Sequence, residues 1–576
     1  MSNHHRRALF LALSLAGPAF AQTPPVPNST APVPQGPGTD IVVSGGTEKM
    51  SDWKRAEADH VVVLSNGSEE QLKRVTNNLE RLYQLMSRIY HRADPDETIK
   101  LQVTLVDSAA SLRAMGLRSM RGDDVSYAAG FAGRLYYDPR DEGDVLVVAR
   151  TDEVIDLDTE KAHDRDCDDR LGQDDFSNGG DCSSLPMHVP IGRPWEAVLY
   201  SAFAQHFLET YIPAAYPRWY LDGVGALFST VDMRGNGAID MARAPDNYIQ
   251  FFRSYGVPNV ADVLTGRYLD PAYAKTTPWT PYHAWLLAHY FLFSQLKPER
   301  AGQFEQYMTA VHQGTPMAEA AKLFGDMDKL QHEIVVYARN STEYGHVNAP
   351  PAREVDPLVT TLSVSSAAMI APKIELGARP SPAEGAPDWL AQLRARAAQW
   401  PGDDEALLVL AEAECRAGHA ADCLADAERV LARAPDNVRA LTWKGIALTD
   451  QAIAGPAADR AATLDAARVA IRHANHLENR APLALLAYFE SFTKAGEPVP
   501  APAMTGMALL ARYVPAAPGP RLDLGAELVR QGQADVARKV LYPVMYGPDD
   551  TPEKKAALAL FAPGGGASAP KASPAP

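Results

Sequence analysis

The stretch WEAVLYSAFAQHFLETYIPAAYPRWYLDGVGALFSTV, residues 195–231, decides how the first part of the chain is read. Trp195 to Ile212 predicts one strongly apolar helix, and a second helix is predicted from Pro217-Arg218-Trp219. Upstream, HVVVL at His60–Leu64 is a β-branched run that predicts a strand. Ser68 to Tyr90 then places Leu72, Val75, Leu79, Leu82, Tyr83, Met86 and Ile89 at helical spacing. Strands are predicted over Ile99–Val106, Gly130–Tyr137 and Val145–Val148, the last two joined by a turn at Asp138-Pro139-Arg140-Asp141. Downstream, helices are predicted around Asn247–Tyr255, Trp279–Gln295, Arg300–Val311 and Pro316–Phe324. Strands early and helices late make an α+β unit.

With those residues in view, the stretch resembles the core of exported gluzincin-type peptidases, the peptidase MA-like family. There the first helix carries His-Glu-x-x-His, and a Glu-Gly follows on the next helix after a Tyr-Pro-x-Trp lead-in. Two His four apart share one helical face and bind one zinc, the Glu acts on the metal-bound water, and the later Glu completes the ligand set. Here the frame persists through Tyr216-Pro217-Arg218-Trp219 and Phe228-Ser229-Thr230, and in the flanking WKRAEADHVVVLS (53–65) and YHAWLLAHYFLF (282–293). The resemblance covers about Ser51 to Asn340. The chemical positions differ. Ser201 and Gln205 stand where the two His belong, Ala202 replaces the general base, and Asp222, before Gly223, replaces the later Glu. The resemblance therefore implies a zincin-like domain with no catalytic residues and no cofactor. The alternative is a zinc peptidase using unorthodox ligands, for which His206, Glu209 and Asp222 are the candidates. His206 lies one residue past the ligand position, about 100° around the helix. His188, His283 and His289 form no three-ligand set of convincing spacing.

From Trp389 onward the composition shifts to Ala, Leu, Arg and Glu. Asp404 to Asn437 carries Leu407, Leu410, Ala411, Gly418, Cys423, Ala427, Val430 and Pro435, and so resembles one tetratricopeptide (TPR) unit of about 34 residues. A second unit begins near Val438, with Gly445 at the small position and an insertion around Ile453–Asp459. Pro482–Tyr513 and Arg521–Tyr546 are weaker matches. Small residues let paired helices approach, and each pair buries its apolar face on the next. Such stacks imply a protein or peptide partner on the concave face; the plainer reading is that the stack packs on the first domain.

The chain has 576 residues and a net charge of −16, which argues against nucleic acid or an anionic membrane as partner. A basic start, an apolar run from Ala8 to Leu15 and Ala19-Phe20-Ala21 predict a cleavable signal peptide and a periplasmic or secreted protein. No later segment has about 18 uninterrupted apolar residues, so stable membrane insertion is not expected. The four cysteines form two close pairs, and export points to disulfides Cys167–Cys182 and Cys415–Cys423, although four cysteines allow three pairings. Asp164, Asp166, Asp168 and Asp175 have the spacing of a calcium loop, but Asp169 stands where that loop needs Gly; the rival reading is a solvated acidic loop.

The expected order is a signal peptide (1–21), a Pro-rich linker (22–50), a degenerate peptidase MA-like domain (51–345), a second linker (346–386), TPR-like helical repeats (387–562) and a disordered tail (563–576). The expected fold class is an α+β zincin-like domain followed by an all-α TPR-like domain. The leading function is a non-catalytic, peptidase-like binding or assembly scaffold of the cell envelope. The alternatives are the unorthodox zinc peptidase and a purely structural envelope protein.

Overall fold

A computed structural model describes residues 49–92, 99–117, 135–158, 188–234, 237–274, 277, 279–340, 343–348, 356–379, 386 and 388–562. The expected signal peptide, the first linker up to residue 48, the Asp164–Asp175 loop, Cys167 and Cys182, and the tail lie outside these residues.

The HVVVL run forms a central strand, which is why Val61 and Val63 are fully buried. The strands are β1 (Met50–Glu57), β2 (Val61–Ser65), β3 (Leu101–Val106), β4 (Leu135–Asp138), β5 (Val145–Ala149), β6 (Glu153–Asp158), β7 (His188–Arg193), β8 (Asp232–Met233), β9 (Ala238–Met241), β10 (Gly345–Asn348) and β11 (Leu358–Ser363). Six make a mixed sheet in the order β11-β1-β2-β3-β5-β4. The β2-β3 and β3-β5 pairs are parallel, and the other three pairs are antiparallel.

Strand side chains alternate between the two faces. Val63, Val103, Leu105, Tyr137 and Val148 join one core with α1 (Glu69–Ile89). Val106, Tyr136, Val147 and Ala149 join another with α2 (Ala109–Ala114). Helix α1 starts where Ser68 Oγ accepts the Gln71 N–H, with Glu69 and Glu70 against the positive end of the helix dipole. The longer helices of this part are α3 (Trp195–Tyr211), α4 (Arg218–Ser229), α5 (Tyr248–Tyr255), α6 (Pro281–Phe293), α7 (Pro298–His312) and α8 (Met327–Asn340), with short helical segments such as Val260–Leu264 and Met317–Ala320 between them, and the first core continues through them.

Within the expected linker at 346–386, the described residues 356–379 are a correction. Strand β11 forms the sheet edge on β1, with Ala56 opposite Val359, and Ser51 Oγ bonds the Leu362 carbonyl. Helices α9 (Val364–Ala368) and α10 (Ile370–Gly377) follow directly. Ile370 and Ile374 cover the second face of the sheet, while Met369 and Leu376 pack with α11 (Trp389–Ala397) and α12 (Asp404–Arg416). This segment welds the sheet to the helical part. Its Pro content masked a β-branched run, Leu358-Val-Thr-Thr-Leu-Ser.

The C-terminal part is a stack of antiparallel helix pairs that fits TPR-like repeats. The pairs are α12 with α13 (Ala420–Leu431), α14 (Val438–Ala454) with α15 (Ala457–Leu477), α16 (Pro482–Thr493) with α17 (Ala501–Tyr513), and α18 (Pro518–Arg530) with α19 (Ala534–Tyr546). Helix α20 (Pro552–Ala559) closes the end. The insertion around Ile453–Asp459 does not loop out; it lengthens α14 and α15. Cys415 and Cys423 are bonded across the first turn, as expected. Gly445 faces Ile471, and a Cβ there would collide with that side chain and lie 3.1 Å from the Ala467 carbonyl. Gly525 has the same role, since a Cβ would sit 2.5 Å from Leu541.

Gly445→Val therefore forces α14 and α15 apart. We expect a loss of about 2–3 kcal/mol, read as a lower urea midpoint by far-UV circular dichroism.

Candidate functional site

Helix α3 is apolar nearly all round and is buried on nearly all sides. Ser201 and Gln205, four apart on one face, are themselves buried, and that face meets α4. A Cβ at Gly225 would lie 2.7 Å from Ser201 Oγ, 2.7 Å from Gln205 Nε2 and 3.0 Å from the Ser201 carbonyl. On the α6 side, a Cβ at Gly223 would lie 2.6 Å from Ala288 Cβ. The two glycines let α4 press against both neighbours. Trp219 anchors the helix, with Nε1 donating to Tyr307 Oη at 3.2 Å.

Asp222 is fully buried. Its Oδ1 is 2.9 Å from Arg218 Nε, and its Oδ2 accepts the Trp279 indole N–H at 3.0 Å. Arg218 also reaches Asp549, beyond α19, at 3.4 Å. The Asp222 charge is thus spent on a buried guanidinium. His206 turns the other way. Its Nδ1 lies 3.0 Å from Asp144 Oδ2, 3.1 Å from Tyr137 Oη and 3.2 Å from Thr210 Oγ1. Its Nε2 is buried with no hydrogen-bond partner among the described residues. Glu209 is half-buried on the same helix. Burial lowers His289 to about 4, and its two ring nitrogens meet Tyr337 Oη and the Glu343 carbonyl.

Zinc needs three convergent donors and an open position. Ser201 and Gln205 offer a hydroxyl and an amide pressed on a glycine, and Ala202 offers nothing. His206, Glu209 and Asp222 are not brought to one point: among the described residues, the group of three His, Cys, Asp or Glu whose ligand atoms lie within 4.8 Å of one another is Glu414, His419 and Asp422. There Arg394 already supplies the cation, at 2.6 and 2.7 Å from Glu414 and 3.5 Å from Asp422. The residues at the α3–α4 frame do not fit a zinc site.

A second constellation was not visible in the sequence. The β4–β5 turn points its Arg140-Asp141-Glu142 tip into the helical array. Asp138, fully buried, accepts from Tyr136 Oη and Arg140 Nε, each at 2.7 Å. Arg140 donates to the Ile374 carbonyl at 2.6 Å. Asp141 accepts from Arg379 at 2.9 Å, and Arg379 also binds Glu553 of α20 at 2.7 Å. Glu142 lies 3.7 Å from Arg416 of α12. Gly377 and Gly519 leave room for the tip: a Cβ at the first would collide with the Arg140 guanidinium, and at the second would lie 2.6 Å from Asp141 Oδ1. Beside the turn, the Ile99 N–H donates to the Tyr513 carbonyl at 3.1 Å.

The surrounding charges are mixed. Glu405 pairs with Arg439 at 2.6 Å, and Lys494 with Glu490 at 3.1 Å and Asp450 at 3.6 Å. Desolvation by the crowding array, then Glu412, pushes the carboxyl of partly exposed Glu142 up, against Arg416, Arg439 and Lys373. Burial, then Glu490 and Asp141, pushes Asp523 on α18 up to about 8, against Arg379 and Lys494. A Pro-containing acidic turn was the only sequence signal for this place.

No family model matches the chain, and no curated protein matches it. Among solved structures, a thermophilic TPR protein of Thermus thermophilus is similar over 30% of this chain and 88% of that chain, with 17% identity and a TM-score of 0.27. The repeat reading rests on the helix pairs and their small residues.

Asp222→Asn leaves buried Arg218 short of a charge. We expect a loss of about 3 kcal/mol in urea denaturation, the low end for breaking a buried pair because Asp549 stays in reach. Asp523 holds its proton more tightly in the folded chain than in the unfolded one. The stability this gives is full below the unfolded pKa of 3.8 and is lost as pH rises toward about 8. Asp523→Asn should therefore gain on the wild type in melting temperature between pH 5 and pH 9, measured by calorimetry.

Proposed function

We propose that this chain is an exported, non-catalytic, peptidase-like scaffold whose TPR-like repeats engage a protein or peptide in the cell envelope, without a metal cofactor. One observation carries the reading. The positions that the peptidase resemblance assigns to metal ligands hold Ser201 and Gln205, both pressed on Gly225, and Asp222, held by Arg218. A helix pair this close has no open coordination position, and the base position is Ala202. The repeat stack supports the binding part, because paired helices of this kind build extended recognition surfaces.

The test is elemental analysis of the mature protein, purified without a metal-binding tag. We expect zinc far below one atom per chain, and a melting temperature that a chelator leaves unchanged. Zinc near one per chain, lost together with peptide cleavage in His206→Ala, would replace this reading with the peptidase.

A further inference from the structure

The first helices of the repeat pairs, α12, α14, α16 and α18, carry Glu405, Glu412, Arg416, Arg439, Glu490 and Asp523, and this charged face is where the tip of the β4–β5 turn sits. The turn is held from both ends of the array: Arg416 belongs to the first pair, while Gly519 lies in the last pair and Glu553 in the closing helix. We propose that the tip of this turn, Arg140-Asp141-Glu142, is a displaceable internal ligand of the repeat array, occupying the place where an acidic loop of a partner protein docks, while Asp138 and Asp144 stay fixed at its foot. The proposal rests on the repeats being a binding array.

Three features support displacement over permanent packing. The polar contacts of the tip are made by the side chains of Arg140, Asp141 and Glu142. The tip is met by like charges as well as opposite ones. Glu142 has Glu412 near it as well as Arg416, Arg439 and Lys373, and Asp141 has Asp523 near it as well as Arg379. Such repulsion lowers the net gain of docking, and the Glu142–Arg416 pair, at 3.7 Å and partly exposed, adds little. Finally, the recess is shaped for this tip by two glycines, Gly377 and Gly519, so an incoming loop with an acidic residue before a small turn meets the same Arg379 and the same space. The intact chain is thus self-occupied, and a partner binds with its affinity reduced by the fraction of chains in which the turn is out.

The experiment uses the full mature chain and a fluorescein-labelled cyclic peptide carrying YYDPRDEGDV, residues 136–145, followed by anisotropy at low salt. Asp141→Asn with Glu142→Gln is nearly isosteric and removes the charges of the internal competitor. This variant should bind the peptide at least about tenfold tighter than the wild type, as expected if fewer than about one chain in ten has the turn free. Adding Arg379→Ala and Arg416→Ala should abolish the gain. Equal binding to both proteins, or binding to neither, would overturn the proposal. So would loss of the native circular dichroism spectrum in the double variant, because a turn that the fold cannot do without is not a displaceable ligand. None of these outcomes bears on zinc content, so a failure here is separable from a failure of the scaffold reading.

Discussion

Asp144 is the carboxylate on which the arrangement of this molecule depends. It sits buried at the foot of the β4–β5 turn, accepts from Thr210 Oγ1 at 3.0 Å and Tyr137 Oη at 3.3 Å, and lies against His206 Nδ1. Its own carbonyl takes the Gln102 N–H of the neighbouring strand. A buried carboxylate persists only where such donors surround it. By gathering them, Asp144 fixes α3 against the sheet edge and sets the direction in which the turn projects. On helix α3, His206 braces the foot of the turn.

From that foot, contacts run outward in two directions. Through Arg140 and Asp141 the turn reaches α10, Arg379 and α20. Through Arg218 and Asp222 the α4 helix reaches Asp549, and Gly314 receives the Tyr546 ring so closely that a Cβ there would lie 2.6 Å from it. The array therefore touches the α+β part along much of its length. The welded segment β11–α9–α10 makes the first of these contacts, and Ser365 bonds Asp403 at the start of α12 at 2.6 Å. Among the described residues, polar contacts thus join the two parts at the welded segment, at Arg218 and at the turn tip.

Much of this was legible in the sequence where signals are local. The apolar spacing of α1, the apolar excess of α3 and the small residues Ala411 and Gly445 each report their immediate surroundings, and the elements follow. The site was legible only as a set of departures: Ser201, Ala202, Gln205 and Asp222 say what is missing, not what replaces it. That Asp222 pairs with Arg218 is an i, i+4 relation that helical geometry allowed one to see; that His206 pairs with Asp144 is not, since 62 positions on the sequence carry no trace of a shared face. Strand β11 was missed because edge pairing leaves half its residues exposed and its flanks are rich in Pro. The turn's role was hidden for the same reason as His206: its partners lie on helices hundreds of residues away.

The pairing of β1 with β11 has a consequence for how the chain is made. Ser51 bonds Leu362 across 311 residues of intervening chain. While the polypeptide lengthens, one side of β1 stays open, offering a row of unpaired amides and carbonyls to any neighbouring strand. β1 is paired on both sides only when residue 363 has emerged, and helix α10, which follows closely, adds its apolar cover to that of α2 on the second face. A nascent chain stalled before that point is an aggregation hazard, and one that has passed it has acquired both its last strand and the first step of its solenoid in the same event.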